Sequence, residues 1–309
     1  MTKFDEQYLS LVARILESGE VITTNPNVLK AQLKDSNMPT HLAQTEVPTT
    51  TYSLPHEVLE FDLGSEFPIL TTKRVAFKTA VLEILWIHQA MSNKVSWLHD
   101  RGIKIWDEWE IPENGIYAGK NYKKLYKEKG LSESPVGTIG TAYGWIVNRY
   151  RLTESLIETL KSDPANRRMV MSLWQNEWLE TAALPSCVWC TQWNVSGGKL
   201  NLLVNARSND VPLGLPFNVS QYACLCYLLA QVSGLAPGKM TYIMNNAHIY
   251  ANQVEGIRYQ LSRKGFSAPT LWINPDIKDF FKFDNSKDLL DIKLKNYKHS
   301  GTIKMPVTR

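Results

Sequence analysis

Long apolar runs are missing from this 309-residue chain. The longest stretch, around Thr79 to Ile87, is too short to cross the hydrocarbon core of a bilayer, and Glu83 interrupts it. No membrane partner is expected. The opening MTKFDEQYLSLVARILESG lacks the basic start and apolar middle of an export signal and reads instead as an amphipathic helix closing at Gly19. A cytoplasmic protein follows as the expectation. Cysteine is scarce: Cys187 and Cys190 form a CxxC, while Cys224 and Cys226 form a CxC inside the apolar run YACLCYLLA. Count alone suggests zinc or disulfides, but a buried helical CxC leaves little room for a tetrahedral ion, so free thiols and no metal are expected. Neither charge dominates. The 34 Lys and Arg against 30 Asp and Glu give a net charge of +4, with the basic residues scattered. A nucleic-acid groove would present a stripe of basic and aromatic side chains, so no nucleic acid is expected as a partner, whereas small anionic substrates suit the mild excess.

What is present describes a large core. Hydrophobic residues make up 44% of the chain and it has 10 Trp, so burial is ample and the marks of disorder are absent. A single domain spanning 1–309 is expected, since mixed folds of this length are commonly one body. FKTAVLEILWIHQAMS has apolar residues at helical spacing and predicts a central helix over 77–92. Residues 20–56, rich in Thr, Asn, Pro and Ser, predict loop and short strand. Residues 112–137 lack hydrophobic periodicity and predict an exposed insertion. From Arg168 onward RMVMSLW, CVWCTQWNV, LNLLVNAR and MTYIMNNAHIY read as strands bounded by turns such as SGGK, and FNVSQYACLCYLLAQVSG as a helix ending at Gly234. The helix should lie against the sheet. The predicted class is α+β, a large mixed β-sheet packed against helices.

Reactive side chains concentrate in ALPSCVWCTQW, ARSNDVPLGLPFN and NNAHIY, at strand ends and in loops, where chemistry is usually displayed. Taken singly each is bland: a Cys after a Pro turn is ordinarily a packed thiol, and a His in an apolar strand a satisfied core residue. Their combination differs. LPSCxxxxQ, RSxDxxLGLPFN and HxY in this order closely resemble the thymidylate synthase family, and FPILTTKR at 67–74, EILW at 83–86, IWDEW at 105–109, AYG at 142–144 and the pair Arg167–Arg168 extend the likeness. It weakens at 20–60 and 112–137.

The resemblance implies a thymidylate synthase-like fold with its sheet at a dimer interface, and it implies roles. Cys187 is the nucleophile that adds to C6 of a uracil ring. Arg207 contacts the nucleotide phosphate and favours the thiolate by charge. Arg167 and Arg168 reach the phosphate of a partner subunit's substrate, two guanidinium forks on one dianion, which makes a homodimer. Ser208 and Asp210 match positions contacting phosphate and pyrimidine, and His248 with Tyr250 matches the pair on the deoxyribose 3′ hydroxyl. Asn218 offers one acceptor and one donor, complementing uracil N3–H and O4, where relatives acting on cytosine nucleotides carry Asp. Glu83 relays protons near O4, and Tyr143 sits near the C5 proton that leaves. For the co-substrate, 5,10-methylenetetrahydrofolate, Trp106 and Trp109 wall the pterin, Lys73 and Arg74 lie toward the folate tail, and Asp210, Leu213, Gly214, Phe217 and Val307 complete the folate site.

Several positions depart from the family pattern. Lys30 stands where a phosphate-binding arginine is usual, Ile146 replaces a Gln, Asn245 and Asn246 replace Gly-Asp, and Arg309 replaces a small apolar residue. The family's tail folds over the folate and excludes water. Two outcomes therefore share one first half: hydride transfer gives dTMP and dihydrofolate, and capture of water gives 5-hydroxymethyl-dUMP and tetrahydrofolate. An inactive nucleotide- or RNA-binding relative is a third, remote reading.

Overall fold

The computed structural model describes residues 1–24 and 49–307. Positions 30 and 309 lie outside them. Helix α1 (Lys3–Ser18) starts where Thr2 accepts from the Asp5 N–H, with Asp5 answering back to the Thr2 backbone. Its apolar face, Phe4, Tyr8, Leu11, Val12 and Ile15, is buried. Asp5 is buried too, accepting from the backbone of Thr71 and Thr72 at 2.9 and 3.0 Å. These bonds fix the FPILTTKR segment that leads to Lys73.

Strands β1 (Glu20–Thr24), β2 (Thr49–Asp62), β5 (Val170–Ser172), β6 (Val188–Ser196), β7 (Lys199–Ala206), β8 (Asn209–Asp210) and β9 (Ala236–Tyr250) form one mixed sheet in the order β1-β2-β9-β7-β6-β5, with β8 also on β9. β7 and β9 run parallel, and the other neighbours along that path are antiparallel. The hairpin β6–β7 turns at Gly197 and Gly198, both at positive φ (56° and 72°), which matches the sheet's twist. The polar stretch at 49–56, read above as loop and short strand, is the first half of the 14-residue β2. Pairing along β9 from Thr51↔Tyr250 to Asp62↔Lys239 overrides its weak strand propensity, with His56 at φ 55° marking the irregularity.

One sheet face, with Leu200, Leu202, Val204, Met240 and Tyr242, is buried. Helix α7 (Gly214–Val232) covers it, and helix α2 (Phe77–His88) packs in turn against α7. α7 begins three residues earlier than FNVSQ implied, because Pro216 is tolerated in a first turn, where its missing N–H has no intrahelical partner to lose. Between them lie α3 (Val95–His99), α4 (Tyr122–Glu128), α5 (Gly144–Arg149) and α6 (Leu152–Ser162); α8 (Val254–Leu261) follows β9. Two small hairpins, β3–β4 (Ile116–Tyr117, Lys120–Asn121) and β10–β11 (Thr270–Ile273, Ile292–Lys295), complete the fold. Residues 112–137 are not simply exposed: α4 buries Tyr122 and Tyr126 completely or nearly so, and the Tyr122 hydroxyl donates to the Ala182 carbonyl. Two tyrosines four apart anchor an otherwise polar segment, a pattern too sparse to register as periodicity.

Candidate active site

Cys187 ends a loop and leads into β6, while Arg207 follows β7, so the antiparallel pair brings them together. The Arg207 backbone N–H donates to the Cys187 carbonyl at 2.9 Å. Its side chain donates from Nε to the Ser186 carbonyl at 3.0 Å and from Nη2 to that of Pro185 at 2.7 Å, leaving Nη2 4.0 Å from Cys187 Sγ. Burial pushes the thiol above its ordinary pKa, Arg207 and the Tyr143 hydroxyl pull it down, and Asp210 pushes it up. The guanidinium is thus the main charge favouring a thiolate.

Tyr143 accepts the Cys187 N–H on its hydroxyl at 3.1 Å. Its backbone sits at φ 47°, costly for an aromatic residue by roughly 1–3 kcal/mol. The following Gly144 tolerates no side chain, since a Cβ there would lie 2.1 Å from the Ser92 carbonyl oxygen. The AYG motif is therefore a steric requirement of this turn. The Tyr143 ring meets Trp106 edge-on at 5.3 Å, and Trp106 meets Trp109 at 5.4 Å.

Trp106 Nε1 donates to Glu83 Oε1 at 2.6 Å, and Gln221 Nε2 donates to Glu83 Oε2. Burial raises the Glu83 carboxyl from 4.5 to about 7, against the pull of these two donors. The chain continues: Asn218 Nδ2 donates to Gln221 Oε1 at 3.3 Å, and Asn209 Nδ2 to Asn218 Oδ1 at 3.2 Å. Gly214 keeps this line open, because a Cβ there would stand 3.2 Å from Asn209 Nδ2. Leu213, at the N-cap of α7, and Phe217, near its start, are half-buried.

Asp210 closes the other side. Its Oδ1 accepts from the Leu213 N–H at 2.9 Å, and its Oδ2 from Gln253 Nε2 at 3.0 Å. Burial raises its pKa, while these bonds and Lys73 lower it. Lys73 is buried and donates to the Pro212 carbonyl, and burial brings it down to about 8. The fully buried Gln253 also accepts the Tyr250 N–H at 3.1 Å and donates to the Pro306 carbonyl at 3.3 Å, tying the chain's last described turn to Asp210. His248 is buried and stays neutral, its pKa lowered by burial to about 4. Its Nδ1 lies 2.8 Å from Asn246 Oδ1, and in the tautomer that donates to this oxygen Nε2 is left as an acceptor. The His248 and Tyr250 rings pack edge to face at 5.0 Å on one face of β9. Asn246 therefore keeps an oxygen where the family pattern has Asp. Ile146 is buried and packs in the core, whereas Asn245 is exposed.

Not all candidates converge. Arg167 and Arg168 are exposed before β5, and among the described residues their guanidinium groups have no hydrogen bond or ion pair. Arg74 is exposed, Ser208 is half-buried, and Val307 is 57% exposed. Asn209, Gln221 and Gln253 were not anticipated. Gln221 alone carried a hint, as a polar residue in an otherwise apolar helix. No group of three or more His, Cys, Asp or Glu among the described residues is placed to hold a metal ion, and no helix among them is long and apolar enough to cross a membrane.

A family model described as thymidylate synthase matches residues 6–309. The thymidylate synthase of Clostridium beijerinckii is 44% identical over the whole of both chains. That of Bacillus licheniformis is 37% identical over 99% of each. A solved structure, the thermostable thymidylate synthase A from Bacillus subtilis, superposes with a TM-score of 0.80 at 36% identity and 99% coverage of each chain. The chain belongs to the thymidylate synthase family.

Proposed function

We propose that this enzyme transfers a one-carbon unit from 5,10-methylenetetrahydrofolate to C5 of dUMP and reduces it to a methyl group, giving dTMP and dihydrofolate. The observation that carries the reading is one unbroken line of contacts. It runs from Arg207 and Cys187 through Tyr143 and Trp106 to Glu83, then through Gln221 to Asn218. A nucleophile, an acid and a base-reading amide thus share one wall.

The Cys187 thiolate adds to C6, and the electron pair of the C5–C6 double bond moves onto C5 and O4. Glu83, held near neutrality, exchanges a proton with O4 as that charge develops. C5 then bonds to the donated carbon as one of that carbon's two bonds to folate nitrogen opens. Loss of the C5 proton on the Tyr143 side expels the second nitrogen and leaves an exocyclic methylene, which the hydride reduces to methyl. The folate supplies that carbon and the hydride. Cys187 departs with restoration of the ring double bond. His248 Nε2 accepts from the ribose 3′ hydroxyl, with Tyr250 beside it. Arg207 and Ser208 take the phosphate.

The folate fits the residues opposite. Trp106, Trp109 and Phe217 offer flat apolar surface to a pterin, beside the Leu213–Gly214 backbone and the buried Asp210 carboxylate. Lys73 steadies the Asp210 loop from below, and exposed Arg74 lies outward for a glutamate tail. Val307, exposed at the end of the described chain, closes over the folate when it binds.

The exposed Arg167 and Arg168 complete a partner's phosphate site in a homodimer joined through the sheet. Their charges, unspent within one chain, support that assignment. The enzyme works in the cytoplasm. The test is to incubate enzyme with dUMP and 5,10-methylenetetrahydrofolate. Dihydrofolate absorbance rising in step with dTMP is expected, and 5-hydroxymethyl-dUMP with tetrahydrofolate would replace methylation by hydroxymethylation.

A further inference from the structure

Gln221 and Asn209 touch neither the thiol nor the aromatic wall, yet both are buried polar side chains spent on one another's neighbours. We infer that they are specificity-determining residues, fixing which way the Asn218 carboxamide faces and so making the site select uracil over cytosine. The inference rests on the deoxyuridylate reading above and deepens it.

Donor and acceptor capacity sets the orientation of each amide along the line. In its ionised form, which Glu83 takes up above its raised pKa of about 7, the carboxylate only accepts. Gln221 must therefore turn its amino group to Glu83 Oε2, which leaves Oε1 to face Asn218. Asn218 must answer with its own amino group, so its oxygen turns toward Asn209, and Asn209 answers with Nδ2. Amide orientation is ordinarily ambiguous, because nitrogen and oxygen look alike; here the charge at one end removes the ambiguity along the whole line. Trp106 strengthens the anchor, since its N–H is a donor and holds the other Glu83 oxygen as an acceptor.

The direction matters because uracil and cytosine are mirror images in hydrogen bonding. Uracil presents a donor at N3 and an acceptor at O4; cytosine presents an acceptor at N3 and a donor at N4. After serving its neighbours, Asn218 retains one lone pair on Oδ1 and one hydrogen on Nδ2. An amide free to flip would serve either base. An amide fixed by its neighbours meets uracil with complementary groups and cytosine with like against like. Asn209 bears a cost for this arrangement. Its own Oδ1 is buried without a hydrogen-bond partner, which packing alone would not favour.

The test is equilibrium binding of dUMP and dCMP to the full-length enzyme and to Q221L, N209A and E83Q, with thermal melting to confirm folding. Q221L removes the link at constant shape, and E83Q replaces the compelling acceptor by a group that serves either orientation. The Kd ratio of dCMP to dUMP is expected to fall about tenfold or more in each variant. A role in packing alone would weaken both nucleotides alike. A ratio unchanged in the folded variants, or a wild type binding both equally, overturns the inference. Wild-type selectivity for dUMP without dTMP formation would overturn methylation and leave this inference standing.

Discussion

The two ends of the proposed nucleotide site are built on opposite principles. At the pyrimidine end Glu83, Gln221, Asn218 and Asn209 are bound to one another, and every link lies within one chain. At the phosphate end Arg207 is committed to the Pro185 and Ser186 carbonyls, while Arg167 and Arg168 stand exposed and unengaged among the described residues. On the proposed reading, base recognition is preorganised within one chain, whereas phosphate recognition is half supplied and is completed by a second copy. Preorganised dipoles need not reorient during reaction, which suits the end where charge moves onto O4. Phosphate charge is constant through the reaction, so it can be met by groups delivered on assembly.

The largest effect should come from the pyrimidine end. Cys187→Ala is expected to lower kcat by about 10⁴-fold or more while dUMP binding persists, as read by product formation and calorimetry. At the other end, replacing both Arg167 and Arg168 by Ala removes two charge-assisted pairs and should cost about 10³-fold in kcat/KM. Mixing that variant with Cys187→Ala under refolding conditions sharpens the contrast. Crossed arginines predict a heterodimer with one intact site and recovery of about a quarter of wild-type activity; no recovery means the arginines act within their own chain.

Glu83→Gln should lower kcat by about 10²-fold. It also carries a stability consequence whose sign is fixed. A carboxyl raised in the fold from 4.5 to about 7 is most favourable when protonated. Its contribution is complete below pH 4.5 and is lost as pH rises toward 7, by roughly 3 kcal/mol. Denaturant unfolding should therefore find Glu83→Gln more stable than the parent above pH 7 and nearly equal to it at pH 4.5. Asn246→Ala should have the smallest effect, a rise of about tenfold in KM for dUMP, because His248 loses the acceptor that sets its tautomer. Asn246→Asp, which keeps an oxygen there, should restore it.

Much of this was legible in the sequence, for reasons that differ by residue. Strands β5, β6, β7 and β9 declared themselves through β-branched and aromatic runs, and Cys187, Arg207 and Asn218 through ordered motifs. β2 did not, because its pairing with β9 is a long-range property its threonines and Pro55 do not announce. Tyr122 and Tyr126 anchor residues 112–137 with too few apolar neighbours to form a pattern. Lys73 is buried against Pro212 because Asp5, on the first helix, dictates where its segment lies. Gln253 gains its role only when β9, the Asp210 loop and the chain's end converge, which no local string encodes.

The central claim is that Cys187 attacks C6 of a deoxyuridylate. A fluorine at C5 cannot depart as a proton does, so 5-fluoro-dUMP with 5,10-methylenetetrahydrofolate should halt the reaction with the sulfur bond intact. Mass spectrometry of the digested complex should find nucleotide and folate together on the peptide containing Cys187. An adduct on Cys190, or none in an enzyme that makes dTMP, would contradict the account.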